Sequence, residues 1–323
     1  MPSWLITSVI VAILVLAVIF VFIPLLLIFI CAIVRIFDRT KEDKRLKTIT
    51  PMNRAMPYIM KDRCDALNYI SDTIDISAAE KYIAKMRAKG YKSFGLMHLF
   101  IAAYVRVISE KPGVNRYIRG REVHKRNGIQ VMLTIKKEMS LDSPDTVVKI
   151  FPKASDTALD VYNQLDELVS SNKMTKDTNN SFDKTAKVLS YLPGFLFRYI
   201  AWLLFVIDYV NLLPTFLTTK VSPFHGSLFV TSMGSLGIPP IYHHIYNFGN
   251  VPAFLSFGTK RKQLYTDIDG NVKVRKVIDI KVVTDERVCD GFYFASALKT
   301  MKHYIKHPEK LDIPPETITE DIN

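Results

Sequence analysis

The sequence predicts an α+β domain, with a mixed β-sheet flanked by helices, preceded by one transmembrane helix. Residues 1–34 carry no charged side chain and are largely apolar, a stretch longer than the roughly 20 residues that a helix needs to cross a bilayer. Residues 76–110 place apolar side chains at helical spacing, whereas later segments alternate as strands do. Helical and strand segments follow one another without an internal repeat, which favours a mixed architecture.

Composition excludes several classes of protein. The 323 residues are 49% hydrophobic, too high a fraction for a disordered chain, and 13 Gly and 16 Pro are too few for a collagen-like one. The three cysteines, Cys31, Cys64 and Cys289, are too few and too far apart for a disulfide framework or a zinc site, and unpaired thiols suit a reducing compartment. The net charge of +12 comes without a nucleic-acid-binding motif, so no nucleic-acid partner is expected.

The chain is expected to divide into an anchor over residues 1–36, a basic linker over 37–54, a folded domain over 55–311 and an acidic, loose tail over 312–323. Trp4 suits the headgroup region, and Pro24 should kink the membrane span or divide it into a crossing part and an interfacial part. A cleaved signal peptide is disfavoured, because the stretch is too long and no basic region precedes it. Cationic flanks stay in the cytoplasm, so the N-terminus should lie outside and the domain in the cytoplasm. The basic residues that follow the anchor are Arg35, Arg39, Lys41, Lys44, Arg45 and Lys47.

Periodicity predicts the elements of the domain. Two helices should occupy residues 76–110 and end at Pro112-Gly113. A further helix should begin with Ser155 as its N-cap, with a loop following over residues 172–184. The C-terminal third should contain a hairpin that turns at Asp269-Gly270. The other predicted elements are strands at Ile129–Ile135, Thr146–Phe151, Leu228–Met233, Val251–Phe257 and Val272–Val283, and a helix at Phe292–Ile305.

A second hydrophobic region covers residues 188–217. Arg198 and Asp208 interrupt it and leave too short a stretch between them to cross a membrane. Two interpretations remain open: an interfacial helix on the same bilayer as the anchor, or a helix of the core or of a subunit contact.

Common cofactor motifs are missing from the sequence. It contains no G-x-G-x-x-G, no phosphate-binding loop, no G-x-S-x-G elbow and no H-E-x-x-H or paired Cys-x-x-Cys. We therefore expect neither a nucleotide cradle of these types nor a metal.

The junction between the last strand and the last helix carries a more informative motif. The run Asp285-Glu286-Arg287-Val288-Cys289-Asp290-Gly291 resembles the end of chloramphenicol acetyltransferases and of dihydrolipoyl acyltransferase catalytic domains. Those families carry H-x-x-x-D-G here, and the acyltransferase cores add an Asp before the His and an Arg after it. This sequence matches at all of these positions except one, where Glu286 replaces the histidine.

Three further segments carry the same resemblance. The segment SLFVTSMGSLG from Ser227 to Gly237 is similar to the family's Thr-Ile-Ser-x-Leu-Gly strand, and the serine of that motif falls on Thr231, with Ser232 beside it. The segment 251–258, which includes Ser256, is similar to the strand that follows in the family. Pro112-Gly-Val-Asn115 resembles the P-x-x-N after its early helices. The resemblance covers roughly residues 55–311.

The resemblance implies a CoA-dependent acyltransferase-like fold and a homotrimer with active-site channels between subunits. In the family a histidine deprotonates the acceptor, a serine hydroxyl binds the oxyanion, the Asp of D-G pairs with an arginine, and the Gly permits a tight turn. Asp290, Thr231, Ser232 and Gly291 would take these roles here, with Ser256 on the side of the coenzyme. No covalent lipoyl group is expected, because no lipoyl domain precedes the core.

Three interpretations of the missing histidine remain open. In the first, Glu286 is the base, and burial raises its pKa towards the range that a general base needs. In the second, His243 or His244 supplies the imidazole. In the third, the site is inactive. His225 is a weaker candidate. The leading hypothesis is a membrane-anchored acyltransferase that moves an acyl group from acyl-CoA to a thiol, hydroxyl or amine. The alternative is a non-catalytic trimeric scaffold or ligand-binding protein at the cytoplasmic face of the membrane.

Overall fold

The fold is an α+β domain built on a mixed six-stranded sheet, as predicted, and a long N-terminal helix precedes it. The computed structural model describes residues 2–37, 44–136, 145–174 and 191–322. The strands are β1 (Lys44–Arg45), β2 (Leu67–Asp75), β3 (Tyr117–Arg119), β4 (Glu122–Lys125), β5 (Val131–Lys136), β6 (Asp145–Ile150), β7 (Leu228–Ser232), β8 (Ala253–Thr266) and β9 (Val272–Asp285). The helices are α1 (Ser3–Ala17), α2 (Ile23–Phe37), α3 (Pro51–Ile59), α4 (Ser77–Ala88), α5 (Leu96–Glu110), α6 (Ala158–Met174), α7 (Gly194–Tyr209) and α8 (Gly291–Lys306).

The large sheet has the strand order β2-β9-β8-β7-β5-β6. Strand β7 runs parallel to β5 and to β8, while the other neighbouring pairs are antiparallel. A smaller sheet has the order β1-β4-β3. The strand Leu228–Ser232 is therefore central, which explains why its sequence is apolar and β-branched rather than strictly alternating.

The main core lies on one face of the large sheet. Helix α5 is buried along most of its length, and Phe100 on this helix stacks on Phe257 of β8 with ring centroids 4.9 Å apart. Leu255 of β8 faces the same core. Because side chains alternate along a strand, Phe254 points to the opposite face, where it packs with Val283 and Ile245.

The N-terminal helix is nearly continuous. Residues Trp4–Val34 form one helix long and apolar enough to cross a membrane, the one such helix in the part of the chain that the structure describes. A π-helical turn at Val18–Phe22 joins α1 to α2, and Pro24 lies in the first turn of α2. The helix continues through this π-helical turn, and the kink at Pro24 stays a prediction.

Helix α7 occupies the second hydrophobic region and packs against the N-terminal helix. Leu203 and Ile207 are buried in a cluster to which Ile28 and Cys31 of α2 contribute. The Tyr199 hydroxyl donates to the Ile19 carbonyl over 3.3 Å. The opposite side of α7 exposes large apolar side chains, which are Phe195, Phe197, Trp202 and Phe205.

Two local predictions were wrong. Helix α6 is capped by Thr157, whose hydroxyl accepts from the Asp160 amide over 3.3 Å, rather than by Ser155. The helix also continues to Met174, into the predicted loop over 172–184. The rest of that loop, and residues 38–43 of the basic linker, lie outside the described residues.

The C-terminal tail is attached to the domain rather than loose, which corrects another prediction. The Thr319 amide donates to the Ser109 carbonyl over 2.8 Å. Arg116 Nε donates to Asp321 Oδ2 over 2.8 Å, and both side chains are largely buried. Asp321, one of the acidic residues on which the prediction of a loose tail was based, instead forms an ion pair with Arg116 of the domain.

Candidate active site

Strand β9 ends at a buried cluster of one carboxylate and two guanidinium groups. Arg287 donates through Nε and Nη2 to the two carboxylate oxygens of Asp285, over 2.9 and 2.8 Å. Arg63 Nε lies 3.4 Å from Asp285 Oδ2. Burial lowers the pKa of Arg63 to about 10, and the charge of Asp285 opposes that shift. The motif residues Asp285 and Arg287 therefore form a bidentate ion pair, the geometry that a guanidinium and a carboxylate favour.

The same two arginines connect the end of β9 to distant segments. Arg63 Nη2 donates to the Gly249 carbonyl over 2.6 Å, and Arg287 Nη1 donates to the Met60 carbonyl over 3.2 Å. These bonds connect the cluster around Asp285 to the backbone at Gly249 and Met60. No sequence signal identified Arg63, because its partners lie far away along the chain.

Glu286 lies between the two members of the ion pair. Its amide donates to the Ala66 carbonyl over 2.8 Å, which extends the pairing of β9 with the segment before β2. Its side chain is half-buried. Cys289, which follows in the same turn, is buried, and burial raises the pKa of its thiol, so this cysteine is not an activated nucleophile.

Asp290 caps a helix and forms no ion pair with an arginine among the described residues of one chain, contrary to the expectation from the family. Its Oδ1 accepts from the Tyr293 amide over 2.8 Å at the start of α8, and the side chain is exposed. Its role in the chain is local. Arg287, the arginine of the motif, pairs instead with Asp285, which precedes it by two residues at the end of β9.

Gly291 is not required by the geometry of the turn within one chain. Its φ angle is not positive, and a Cβ atom built at this position meets nothing within 4 Å. The expected role of Gly291 in a tight turn is therefore not supported.

We expect the Asp290→Ala variant to lower the free energy of unfolding by about 1 kcal/mol, the usual loss for a helix N-cap. Thermal unfolding followed by circular dichroism measures this change. The Asp290→Asn variant keeps an oxygen that accepts the hydrogen bond and should lose much less. A loss several times larger for Asp290→Ala would contradict a purely local role.

Thr231 and Ser256 are neighbours in the sheet. They form a Cα pair in the parallel register of β7 and β8, so their side chains share one face. Thr231 is half-buried, whereas Ser256 is buried and its hydroxyl accepts from the Ile241 amide over 3.4 Å. Ser232 is also half-buried but points to the other face. Ser256 thus supports the segment that follows β7, and Thr231 is the more accessible hydroxyl on this face.

The two candidate histidines lie on that same segment. His243 stacks on Phe254 with centroids 4.3 Å apart, and burial together with the neighbouring His244 lowers its pKa. Its Nε2 is buried and makes no hydrogen bond within the described parts of the chain. His244 is exposed and contacts Tyr246 edge-on at 4.8 Å. His243 is therefore a neutral imidazole. It stacks on Phe254, which lies two residues before Ser256 on β8 and on the same face of the sheet as Thr231.

Thr231 and Glu286 are far apart within one chain. Ser256, the partner of Thr231, pairs in turn with Lys281 of β9. Glu286 follows Lys281 by five residues, which is about 16 Å along the sheet, and it lies two strands, or about 10 Å, to the side. The two residues can meet only if Thr231 comes from one copy of the chain and Glu286 from another.

A large open cleft is formed by other segments of the domain. It has a volume of about 700 Å³ and is lined by cationic side chains, among them Lys44, Lys125, Arg126 and Lys153, together with Asn115 of the P-x-x-N segment. The Tyr293 hydroxyl accepts from the Gly113 amide of that segment over 3.0 Å, which connects the cleft wall to the first turn of α8. Sequence reasoning did not identify this cleft, because its wall combines several separate segments.

Comparison with known proteins agrees with this architecture. Residues 219–313 match the 2-oxoacid dehydrogenases acyltransferase (catalytic domain) family. No curated protein matches the sequence.

Three solved structures illustrate the similarity of fold. A probable dihydrolipoamide acetyltransferase from Listeria monocytogenes superposes with a TM-score of 0.54 at 16% identity, over 83% of this chain and 96% of that one. The cubic core of a pyruvate dehydrogenase multienzyme complex gives 0.54 at 13% identity, over 80% and 88%. The dihydrolipoamide acetyltransferase of Azotobacter vinelandii gives 0.53 at 13% identity, over 80% and 88%.

At such identities the structures establish the fold, and the matched segment includes both the Thr231 strand and the Glu286 corner. The chain therefore shares the fold of these dihydrolipoamide acetyltransferase domains, and its residues 219–313 are similar to the acyltransferase catalytic-domain family that the C-terminal motifs indicated.

Proposed function

We propose that the protein is a membrane-anchored, CoA-dependent acyltransferase-like protein that transfers an acyl group from acyl-CoA to a thiol, hydroxyl or amine acceptor. The observation that carries this proposal is the corner at the end of β9. The buried pair of Asp285 and Arg287 holds the backbone of Glu286 rigidly at the position where the family carries its reactive residue. A fixed backbone at a reactive position is the preorganisation that catalysis needs.

In the proposed reaction the acceptor attacks the thioester carbonyl and loses its proton to a base. The Thr231 hydroxyl donates to the oxyanion that forms, and the thiolate of CoA departs. Two groups are candidates for the base. Glu286 occupies the family position, whereas His243 is a neutral imidazole on the same face as Thr231.

The site is proposed to form between copies of the chain in a homotrimer. The separation of Thr231 from Glu286 along the sheet supports this arrangement, because a single copy cannot bring them within proton-transfer distance of one substrate. Catalytic domains with this fold assemble in the cubic core of a pyruvate dehydrogenase complex.

The basic cleft beside α8 is a suitable place for the coenzyme. Its volume of about 700 Å³ lies within the range of small-molecule sites, roughly 300–1,000 Å³. Lysine and arginine side chains on its walls complement the phosphates of CoA. Asp321 and Glu320 of the tail line the same cleft, so the coenzyme would compete with these carboxylates.

The N-terminal helix is proposed to cross the membrane once, with the N-terminus outside and the domain in the cytoplasm. The helix is long and apolar enough to span, and the basic residues that follow it favour the cytoplasmic side. Helix α7 packs on α2 and presents aromatic side chains outward. This contact supports the interfacial interpretation of residues 188–217, and it keeps the proposed site near acceptors that the bilayer delivers.

The full chain in detergent or in nanodiscs should release free CoA from acetyl-CoA when an acceptor is present. The Thr231→Val variant should lower the rate about 100-fold, because it removes the donor to the oxyanion, whereas Thr231→Ser keeps the hydroxyl and most of the rate. Thiol release with a chromogenic reagent measures turnover, and native mass spectrometry should detect three copies.

The alternative is a non-catalytic trimeric scaffold or ligand-binding protein. The specific observation in its favour is that a carboxylate occupies the place of the family's histidine. Retained binding of CoA without turnover of any acyl-CoA would reject the enzyme and support this alternative. Absence of both binding and turnover would reject the CoA proposal altogether.

A further inference from the structure

A serine, a histidine and an aspartate form a continuous hydrogen-bonded chain outside the corner described above. Ser222 Oγ lies 2.7 Å from His225 Nδ1, and His225 Nε2 lies 3.1 Å from Asp208 Oδ1. His225 is almost completely buried, and Ser222 is half-buried. This order of groups is that of a nucleophile, a base and an orienting carboxylate.

The surroundings determine which nitrogen of His225 carries the proton. Burial alone would raise the pKa of Asp208, but the hydrogen bond from His225 and the charge of Arg119 hold it below its ordinary value. The Gly249 amide also donates to Asp208 Oδ2, over 3.3 Å. An ionised carboxylate can only accept, so His225 Nε2 is the donor. Nδ1 is then left without its proton and accepts the hydrogen bond of the Ser222 hydroxyl, and burial keeps the ring neutral by lowering the pKa of His225 to about 4.

A half-buried lysine holds the loop that carries both residues. Lys149 Nζ donates to the carbonyls of Thr218, Ser222 and His225 over 2.9, 3.0 and 2.7 Å. These three bonds use all three protons of the ammonium group. Lys149 therefore fixes the spacing of Ser222 and His225 and has no remaining proton for another partner while it is charged.

Ser222 opens onto a second cleft, which shares Phe151 and Thr219 with the basic cleft described above. The cleft has a volume of about 210 Å³, and its lining includes the apolar side chains of Val148, Phe151, Leu168 and Val221. This volume is below the roughly 300 Å³ typical of small-molecule sites, which limits the group that fits beside Ser222 to a short one. Because Asp208 lies on α7, the cleft is structurally connected to the helix that packs on the N-terminal helix.

We propose that Ser222 is an activated nucleophile, with His225 as its base and Asp208 as the residue that positions His225, for esters or thioesters that carry a short acyl group. The Ser222 oxygen bonds to the acyl carbon while its proton moves to His225 Nδ1. The carbon–oxygen or carbon–sulfur bond of the ester or thioester then breaks, and the leaving group departs with that proton. Water next adds to the acyl carbon, releases the acid, and returns a proton to Ser222 through His225.

This activity is independent of the acyltransfer proposed above. None of the three residues belongs to the Glu286 corner or to the Thr231 strand. The motif search also could not find them, because the nucleophile does not stand in G-x-S-x-G and its carboxylate comes from a separate helix.

The test is covalent labelling of the full chain in detergent with a fluorophosphonate. The Ser222 oxygen displaces fluoride from phosphorus, and the fluoride leaves with the proton that His225 received. We expect a single adduct on Ser222 by peptide mass spectrometry. It should be absent in Ser222→Ala and unchanged in Ser235→Ala, which removes an exposed serine of the turn after β7.

Two variants test the base and the positioning residue. His225→Gln should slow labelling at least about 100-fold. Asp208→Asn should slow labelling about 10-fold, while Asp208→Glu keeps the negative charge and should recover part of the labelling rate. If the variants have equal thermal stability, a role of Asp208 in folding alone would not make Asp208→Glu faster than Asp208→Asn.

A fourth variant keeps the test decisive if the histidine variant does not fold. Ser222→Cys changes little volume, and its new thiol should react with iodoacetamide faster than Cys64, the exposed cysteine of the same chain. The proposal is overturned if fluorophosphonates of both small and extended shape label Ser222 no faster than Ser235, or if the thiol introduced by Ser222→Cys reacts no faster than that of Cys64.

Discussion

The Glu286→His variant is expected to transfer acetyl groups from acetyl-CoA about 100-fold faster than the unmodified protein. A positioned imidazole acting as a general base contributes roughly 10²–10⁴ to a rate, and an imidazole is in general a stronger base than a carboxylate. The corner is already built to hold a side chain here, since the neighbouring ion pair and the Ala66 hydrogen bond fix the backbone. Initial rates of CoA release measure the change.

The matched control is Glu286→Gln, which has nearly the same shape but cannot take up a proton. If Glu286 is the base, this variant should lose activity, whereas it should leave the rate unchanged if His243 is the base. His243→Gln gives the reciprocal comparison. A Glu286→His protein that folds, forms trimers and binds CoA without any gain in rate would contradict the assignment of this corner as the reactive one.

The second large effect concerns Asp285. The Asp285→Asn variant should lower the free energy of unfolding by about 3–5 kcal/mol, the usual cost of removing one partner from a buried ion pair. Asparagine preserves the shape of the side chain but leaves Arg63 and Arg287 buried without their shared counter-charge. Thermal or denaturant unfolding of the full chain, followed by circular dichroism, measures the loss.

Asp279 provides the control for this measurement. It also accepts a bidentate pair of bonds, from Arg261, over 2.8 Å each, but the side chains of Arg261 and Asp279 are 44% and 30% exposed. Asp279→Asn should therefore cost no more than about 1 kcal/mol. Similar losses for the two variants would show that burial of the Asp285 cluster does not govern its contribution to stability.

Local sequence signals predicted the long elements well, because these signals are repeated many times within each element. Helix α5 and the hairpin around Asp269-Gly270 are examples, since apolar spacing and a turn dipeptide specify them directly. The N-cap of α6 was wrong because Ser155 and Thr157 are both suitable caps, and only the bond to Asp160 distinguishes them.

The candidate site was predictable only where its residues form a motif. Asp285, Glu286 and Arg287 were found because they are consecutive, whereas Arg63 contributes to the same cluster from the other end of the domain. The pairing of Asp290 with an arginine was inferred from the family, whereas among the described residues Asp290 is an exposed helix N-cap. The Ser222 chain combines two residues of one loop with a helix residue, a combination that only folding brings together.

The contact between α7 and the N-terminal helix has a practical consequence for handling the protein. Deleting residues 1–36 would remove Ile28 and Cys31 from the cluster around Leu203 and Ile207. Both sides of α7 would then present apolar surface to water, because its other side already exposes Trp202 and Phe205. A chain without residues 1–36 is thus expected to aggregate unless apolar residues of α7 are also replaced by polar ones. A soluble variant therefore requires changes to α7 as well as removal of the N-terminal helix.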